Sequence, residues 1–522
     1  MHTRRNVWKL SPQPWPDLLL WYAKAVRELQ SCPTADLTSW NSLGAMHGFD
    51  QQLWIAFNYI SASTPLPYAA DQARYWKQCQ HQSWYFLPWH RGYLWAFEAI
   101  VRAAVVKLGG PESWALPYWN YSDTHDANAL KLPTAFSAPK LPDGSANPLL
   151  VTRRYGDGTG HVVIRPSDVT LGALTQSQFA GPPGGGGPTG FGGPQTAFQH
   201  DGTDNGQLER QPHNGVHGFV GGQKPGSNPN DPRSYGLMSM PDTAALDPIF
   251  WLHHANIDRL WVVWRERTAT HFDPTEKTWL TGPAARTFAV PKPDGRRHDF
   301  AARDVVDTAT LGYTYDDTSD PLGGTHRLVA RLDRLALPQV TASAQEILVA
   351  ERKPAELLGA NKTAVQISGA AVETAVRLDT GIKDKLIRSF SARNLTAAPG
   401  GASAAIEPDR VFLTLENIRG VNDAAVFYVY IDLPKDAKPE DNPDHLAGVV
   451  SLFGVRKASA TDSTHGGNGI NETLEITNVI DKLHLGHKLD ADQLNVRFVS
   501  RTEITPDDAI SVGGVSVYRQ GE

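Results

Sequence analysis

The segment Asp247–Trp261 reads DPIFWLHHANIDRLW. It has the apolar spacing of a buried amphipathic helix, yet two adjacent histidines, His253 and His254, stand in its middle among Phe, Trp, Leu and Ile. Neighbouring helix residues point about 100° apart, so one ring can face a site that the other cannot face equally.

Outward from this segment, the spacing predicts further helices over Asp17–Leu29, Leu37–Ser61 and Arg91–Leu108, with this one running Pro248–Arg265. Residues 121–212 read as a long irregular region. Within it GPPGGGGPTGFGGP (181–194) has the composition of a mobile surface loop. From residue 362 the chain reads as β-branched, alternating runs: TAVQIS, RVFLTLENI, AVFYVYIDL, GVVSLFGV, ETLEITNVI, LNVRFVS and ISVGGVSVYRQ. Seven such runs predict an all-β sandwich over 361–522, after a linker at 316–360.

A chain of 522 residues is too long for one ordinary core, so two or three domains are expected. The 41% hydrophobic and 20% charged content is that of a folded chain, and the net charge of −6 gives no basic footprint for nucleic acid. No run reaches the length of a membrane span. The N-terminus carries a twin arginine but neither the apolar stretch nor the cleavage site of an export signal, so a cytoplasmic location is expected; export on a partner would leave no trace. Two cysteines, Cys32 and Cys79, exclude a disulfide scaffold.

Six of the 18 histidines form a pattern. In QPHNGVHGFVGG, His213 and His217 stand at i and i+4, where helical imidazoles share a face and can chelate one ion. A histidine of the 247–261 helix would complete a three-histidine site. CQHQSWYFLPWHRGYLWAFE places His81 in an aromatic segment and His90 at the start of a helix; His47, in SLGAMHGFD, can complete a second site. Three imidazoles without a carboxylate suit copper or zinc, and the spacing alone does not choose. Zinc with an open position implies hydrolysis. Two such sites built from four packed helices imply a dinuclear redox centre.

HQSWYFLPWHRGYLWAFE, ALPYWNY, HNGVHGFVGG and DPIFWLHHANIDRLW together resemble the type-3 copper family of tyrosinases, catechol oxidases and molluscan haemocyanins, over residues 36–265. The resemblance implies a mainly α-helical domain (1–315) whose four-helix bundle holds two copper ions, with small phenols and O₂ as partners. Matched by position, His47, His81 and His90 correspond to the copper A ligands, and His213, His217 and His254 to those of copper B. His253 then stands behind the ligands. The same matching implies a Cys79–His81 thioether, and a water held beside copper B by Glu209 and Asn214 as the phenol-activating base. Phe250 is expected to pack behind the copper B histidines, and Asp258 to support a ligand ring or the Arg91 region. Gly218 is expected to leave the copper B entrance open.

Tyr313 and Tyr315, in GYTYDD, resemble the motif that closes the catalytic core. The β-rich remainder resembles the C-terminal domain of fungal proenzymes, where a bulky side chain plugs the copper site; Phe453 is the candidate here. The reading is therefore a tyrosinase, latent through its second domain, that hydroxylates monophenols and oxidises o-diphenols. A catechol oxidase or o-aminophenol oxidase without the hydroxylating step, and a haemocyanin-like oxygen carrier, are the alternatives. Homo-oligomer formation and a copper-delivery partner stay open.

Overall fold

The computed structural model describes residues 1–156, 162, 164–181, 187–197, 204–268, 271–283, 287–323, 327–335, 354–390, 408–461, 466–487, 489 and 492–521. The N-terminal part is a helical core: α1 Asp17–Ser31, α2 Trp40–His47, α3 Gln51–Ala56, α4 Ala69–Tyr75, α5 Phe86–Lys107, α6 Gly215–Gly221 and α7 Pro248–Arg267. No helix among the described residues is long and apolar enough to cross a membrane.

The helix expected over Leu37–Ser61 is two helices. Gly48 separates them in extended backbone, and a Cβ there would lie 2.5 Å from the Pro241 carbonyl oxygen. Asp50 then caps the next helix by accepting from the Leu53 N–H at 3.0 Å. His47 thus ends α2 rather than lying within a helix. By contrast α5 starts before Arg91, at Phe86, because Pro88 falls in the first turn, where its missing N–H costs no hydrogen bond.

Helices α5 and α7 pack through their large apolar faces. The rings of Phe97 and Trp251 lie 3.4 Å apart and 5° from parallel. Trp40 approaches Phe97 edge-on at 6.0 Å. Asp247 caps α7 through the Ile249 N–H, with Pro248 in its first turn.

Strand β1, His2–Arg4, pairs in parallel with β2, Tyr313–Tyr315, and closes this core. Arg4 bonds Glu98 of α5 at 2.7 Å and Asp258 of α7 at 3.0 Å, and lies 3.7 Å over the Tyr313 ring.

The glycine-rich stretch is not a mobile surface loop where it is described. Thr189–Pro194 is buried, and Phe191 stacks on Trp264 at 4.5 Å. Gly193, at φ 131°, lets the backbone pass so close to Ser83 that a Cβ would lie 2.7 Å from its carbonyl oxygen. The glycines serve close approach here, and they brace the loop that carries His81. Residues 182–186 lie outside the described residues.

The C-terminal part holds two four-stranded antiparallel sheets. Its strands are β3 Glu356–Asn361, β4 Gly369–Arg377, β5 Arg410–Ile418, β6 Val426–Ile431, β7 Leu446–Ser451, β8 Ile470–Glu475, β9 Gln493–Ile504 and β10 Gly514–Gln520. The sheet orders are β8-β5-β10-β3 and β7-β6-β9-β4. Strand β3 begins inside the segment that the sequence reads as linker. The run expected as one strand over 472–480 ends at Glu475 and continues as a helix, Thr477–Leu485. The run 448–455 stops at Ser451; the chain then turns at Gly454 (φ 80°).

Strand β6 joins the two parts. Phe427, Val429 and Ile431 point into the core of the sheets. Val426, Tyr428 and Tyr430 belong instead to the core of the helical part. Successive strand residues face opposite sides, so a continuous apolar run such as AVFYVYI marks a strand covered on both faces.

Candidate metal centre

Two groups of side chains converge between the helices. His47, Cys79, His81 and His90 place their ligand atoms within 4.8 Å of one another, and so do His213, His217, His253 and His254. All eight are buried. His47 comes from the end of α2, His90 from the first turns of α5, and Cys79 and His81 from the intervening loop. His213 sits in a wide turn, Glu209–Asn214, interrupted by extended backbone at Gln211, and His217 follows on α6. The pair is still close, with ring centroids 4.6 Å apart.

Hydrogen bonds fix which nitrogen of each ring is free. Nδ1 of His47, His90 and His217 faces the carbonyls of Pro241, Phe86 and Met238, each at 2.8 Å, and Nδ1 of His213 faces Asn214 Oδ1 at 2.8 Å. Carbonyl and amide oxygens only accept, so each ring donates through Nδ1–H and keeps a lone pair on Nε2. Nε2 of His47 and of His213 has no hydrogen-bond partner among the described residues. Nε2 of His217 and His254 approach to 3.4 Å. Burial holds the His47 and His213 rings down at about 4 and about 3, and holds His90, His217, His253 and His254 well below the ordinary value. Neutral imidazoles with inward lone pairs are the donor set that a soft or borderline metal requires, and no proton competes for it at neutral pH.

Of the adjacent pair, His254 lies between the two groups: its ring stacks on His90 at 4.6 Å and 18°. His253 stacks on His213 at 5.3 Å, and its Nδ1 meets the Tyr121 hydroxyl at 3.2 Å. Four imidazoles thus gather where the sequence reading expected three. Tyr121, in ALPYWNY, was not singled out as a partner, because only the fold brings it to α7.

Phe250 packs 4.1 Å from His254 and 4.9 Å from His47 by centroid. Cys79 Sγ lies 3.7 and 3.5 Å from Nδ1 and Nε2 of His81. The sulfur is thus nearly equidistant from the two nitrogens that flank Cε1.

Among the described residues, Asp258 shows no hydrogen bond to a histidine. It accepts from Arg91 Nε at 2.5 Å, Arg4 Nη1 at 3.0 Å and the Tyr313 and Tyr315 hydroxyls at 2.7 and 2.5 Å. It ties both ends of the helical part to α5 and α7, and its proximity to Arg91 is what the sequence reading caught.

Glu209 is 1% exposed. Its carboxylate accepts from the Gln82 N–H at 3.0 Å and the Gly206 N–H at 3.4 Å. Burial pushes the carboxyl up to about 8. Asn214 Oδ1 accepts from His213 Nδ1; Asn214 and Glu209 both line one cavity, with no hydrogen bond between them among the described residues. That cavity, about 40 Å³, is lined by His47, His81, Glu209, Asn214 and Phe453 among others. It has room for a few waters and none for an aromatic ring.

The second part of the chain closes this space. Phe453 stacks on His217 at 4.2 Å and 24°, and meets His81 edge-on at 5.7 Å. Gly218 does not open to an entrance. A Cβ there would meet Ser451 Oγ at 2.9 Å and Val426 Cγ2 at 3.2 Å, so β6 and β7 occupy that side. Ser451 donates to the Asn214 carbonyl at 2.8 Å. Two anchors escaped the sequence reading: the buried pair Arg501–Asp168 at 2.9 Å, and Glu472, which accepts from Asn205 at 2.7 Å. Neither has a local signature; the uninterrupted AVFYVYI run was the available sign of a covered face.

The common central domain of tyrosinase matches residues 37–180 and 189–267, and a domain of unknown function (DUF7868) matches 354–520. Tyrosinase HcTyr1 of Hahella sp. (strain CCB-MM4) is 32% identical over the full length of both chains. A chloroplastic polyphenol oxidase of Malus domestica is 27% identical over 70% of this chain and 57% of its own. Latent apple tyrosinase shares the fold at TM-score 0.59 and 18% identity, over 100% of this chain and 97% of its own. A latent aurone synthase does so at 0.57 and 18%, over 100% and 89%. The neutral, inward-facing histidines meet the needs of the family's cofactor, and the likeness runs from end to end. This chain is a member of the tyrosinase family, whose dinuclear copper centre oxidises o-diphenols.

Proposed function

We propose that this chain is a latent tyrosinase that hydroxylates monophenols as well as oxidising o-diphenols, held closed by its β-rich second domain. The observation that carries the reading is the Phe453 ring stacked on His217 in the cavity that Glu209 also lines. The four helices α2, α5, α6 and α7 act as a bundle around the centre, and the two sheets as a sandwich docked on it. His47, His81 and His90 would hold one copper, and His213, His217 and His254 the other. When bound, the two coppers supply O₂ activation and the two-electron oxidation.

The protein's own part is positioning and proton handling. Glu209 is fixed by two backbone N–H groups and sits beside the position of a ring lying on His217. A carboxyl raised to about 8 is drawn back down by cationic charge nearby, which leaves a carboxylate able to accept a phenol proton through water. Asn214, bonded to His213, holds that ligand's Nε2 inward. Phe250 and the surrounding aromatic wall keep bulk water away.

The test is quinone formation by the copper-loaded protein with tyramine and with 4-methylcatechol, before and after limited proteolysis. Activation by cleavage with turnover of both compounds is expected. Catechol turnover without tyramine turnover leaves a catechol oxidase; full activity of the uncut chain removes the latency.

A further inference from the structure

We propose that Asn205 and Arg210 form a carboxylate-binding rim of the substrate site, so that the uncovered enzyme favours phenols carrying a carboxylate. This rests on the reading above, in which the second domain occupies the place of substrate.

That domain brings two side chains of different chemistry to the site. One is the aromatic ring of Phe453. The other is Glu472, which is 1% exposed. Its Oε1 accepts from Asn205 Nδ2 at 2.7 Å, while Oε2 has no hydrogen-bond partner among the described residues. Among the described residues no cation lies within ion-pair distance of it; the positive charge facing it is Arg210, and Asp204 opposes it. A carboxyl group is thus already seated on the helical part, by a bond that leaves its second oxygen unused.

Arg210 is as poorly matched as Glu472. Its Nε is buried without a partner among the described residues, Nη1 reaches the Val449 carbonyl only at 3.5 Å, and Nη2 reaches Gln207 Oε1 at 3.3 Å. A guanidinium offers a planar fork of donors suited to a carboxylate. Removal of the second domain takes Val449 and Glu472 away and frees both Asn205 Nδ2 and this fork. Asn205 lines the same cavity as Glu209 and Phe453. A substrate ring in the place of Phe453 would therefore carry an acidic substituent toward the place of Glu472. A neutral phenol gains nothing there, and a phenolic amine meets Arg210 as a like charge.

The experiment uses the copper-loaded full chain with Phe453→Ala and Glu472→Ala, which vacates both places, and compares 3,4-dihydroxycinnamate with its methyl ester. The acid is expected to have the higher kcat/KM by about tenfold, the size of one charge-assisted hydrogen bond. Adding Arg210→Gln should remove that preference through the KM of the acid, and Arg210→Lys should restore part of it. Equal kcat/KM for acid and ester, or a preference that Arg210→Gln leaves intact, overturns the rim. If neither compound is oxidised, the oxidase reading itself fails. Calorimetric titration with cinnamate and cinnamamide then decides the rim alone: selective loss of cinnamate affinity on Arg210→Gln is expected, and unchanged affinity overturns it.

Discussion

The ring of Phe453, on the turn after β7, lies on the ring of His217, on α6, with centroids 4.2 Å apart and planes 24° from parallel. A side chain from one part of the chain thus stacks on a metal-binding candidate of the other, in the place the proposed function gives to an aromatic substrate. Replacing a well-packed buried Phe by Ala removes about 3–5 kcal/mol of packing. Phe453→Ala should therefore raise o-diphenol turnover by the uncut chain about tenfold or more, measured as initial quinone formation. Turnover equal to that of the parent would separate this ring from any gating role.

The docking includes a buried ion pair. Arg501 Nη1 meets Asp168 Oδ2 at 2.9 Å, with the two side chains 5% and 0% exposed, and the guanidinium lies 3.8 Å over the Phe219 ring. Asp168 also accepts from the Tyr428 hydroxyl at 3.0 Å. Losing one partner of a buried pair costs about 3–5 kcal/mol, because the remaining charge stays unpaired and dry. Arg501→Ala should speed tryptic separation of the two parts and raise basal activity. Both should respond together if docking is what Arg501 serves.

Glu472 gives the docking a pH dependence. Burial raises its carboxyl from an ordinary 4.5 to about 7 in the docked state, with Arg210 favouring the charge and Asp204 opposing it. Below 4.5 the group is neutral in both states, and its contribution to docking is fully present. Between 4.5 and 7 the docked state must take up a proton, so docking weakens as pH rises; above 7 the dependence flattens. The uncut chain should be more readily cleaved and more active at pH 8 than at pH 5, relative to a pre-cleaved control. Glu472→Gln should flatten that ratio.

What the sequence disclosed depended on whether the cause was local. HNGVH and DPIFWLHHANIDRLW carry their spacing within one or two turns, so the histidine groups were readable before any fold was known. The break at Gly48 was not, because it follows from the approach of Pro241, nearly two hundred residues away. The described glycines around Phe191 carry a related lesson: glycine marks close contact as readily as freedom, and Trp264 against Phe191 and Ser83 against Gly193 show close contact there. Of the two places the sequence allowed for Asp258, a ligand ring or the Arg91 region, it lies by Arg91, and its other partners, Arg4, Tyr313 and Tyr315, come from the two ends of the helical part. The tie between Glu472 and Asn205 joins residues of different domains and leaves no pattern in either.

Cys79 stands where a covalent link to His81 would form. The sulfur lies 3.5–3.7 Å from both ring nitrogens, and burial keeps the thiol protonated, well above its ordinary value. Joining Sγ to Cε1 removes one hydrogen from each and needs an oxidant, which copper with O₂ provides. Copper-loaded, aerated protein should be lighter by two hydrogens in the peptide spanning Cys79 and His81, and Cys79→Ser should show no such loss. An unchanged mass would leave a free thiol beside the ring.

The adjacent histidines of α7 divide their tasks by direction. His254 Nε2 stands 3.4 Å from His217 Nε2, a separation that suits two ligands of one ion, and its ring bridges toward His90. His253 is turned to Tyr121 through Nδ1 and covers His213 with its face. A ring that uses one nitrogen on a hydroxyl and its face on a ligand braces the site even where its second nitrogen is free. His254→Ala should therefore reduce bound copper from two per chain to one, measured by metal analysis after dialysis. His253→Ala should keep two coppers but lose them faster to a chelator, because His213 loses its stacking partner. Loss of a copper on replacing His253, with two retained on replacing His254, would reverse the assignment on α7.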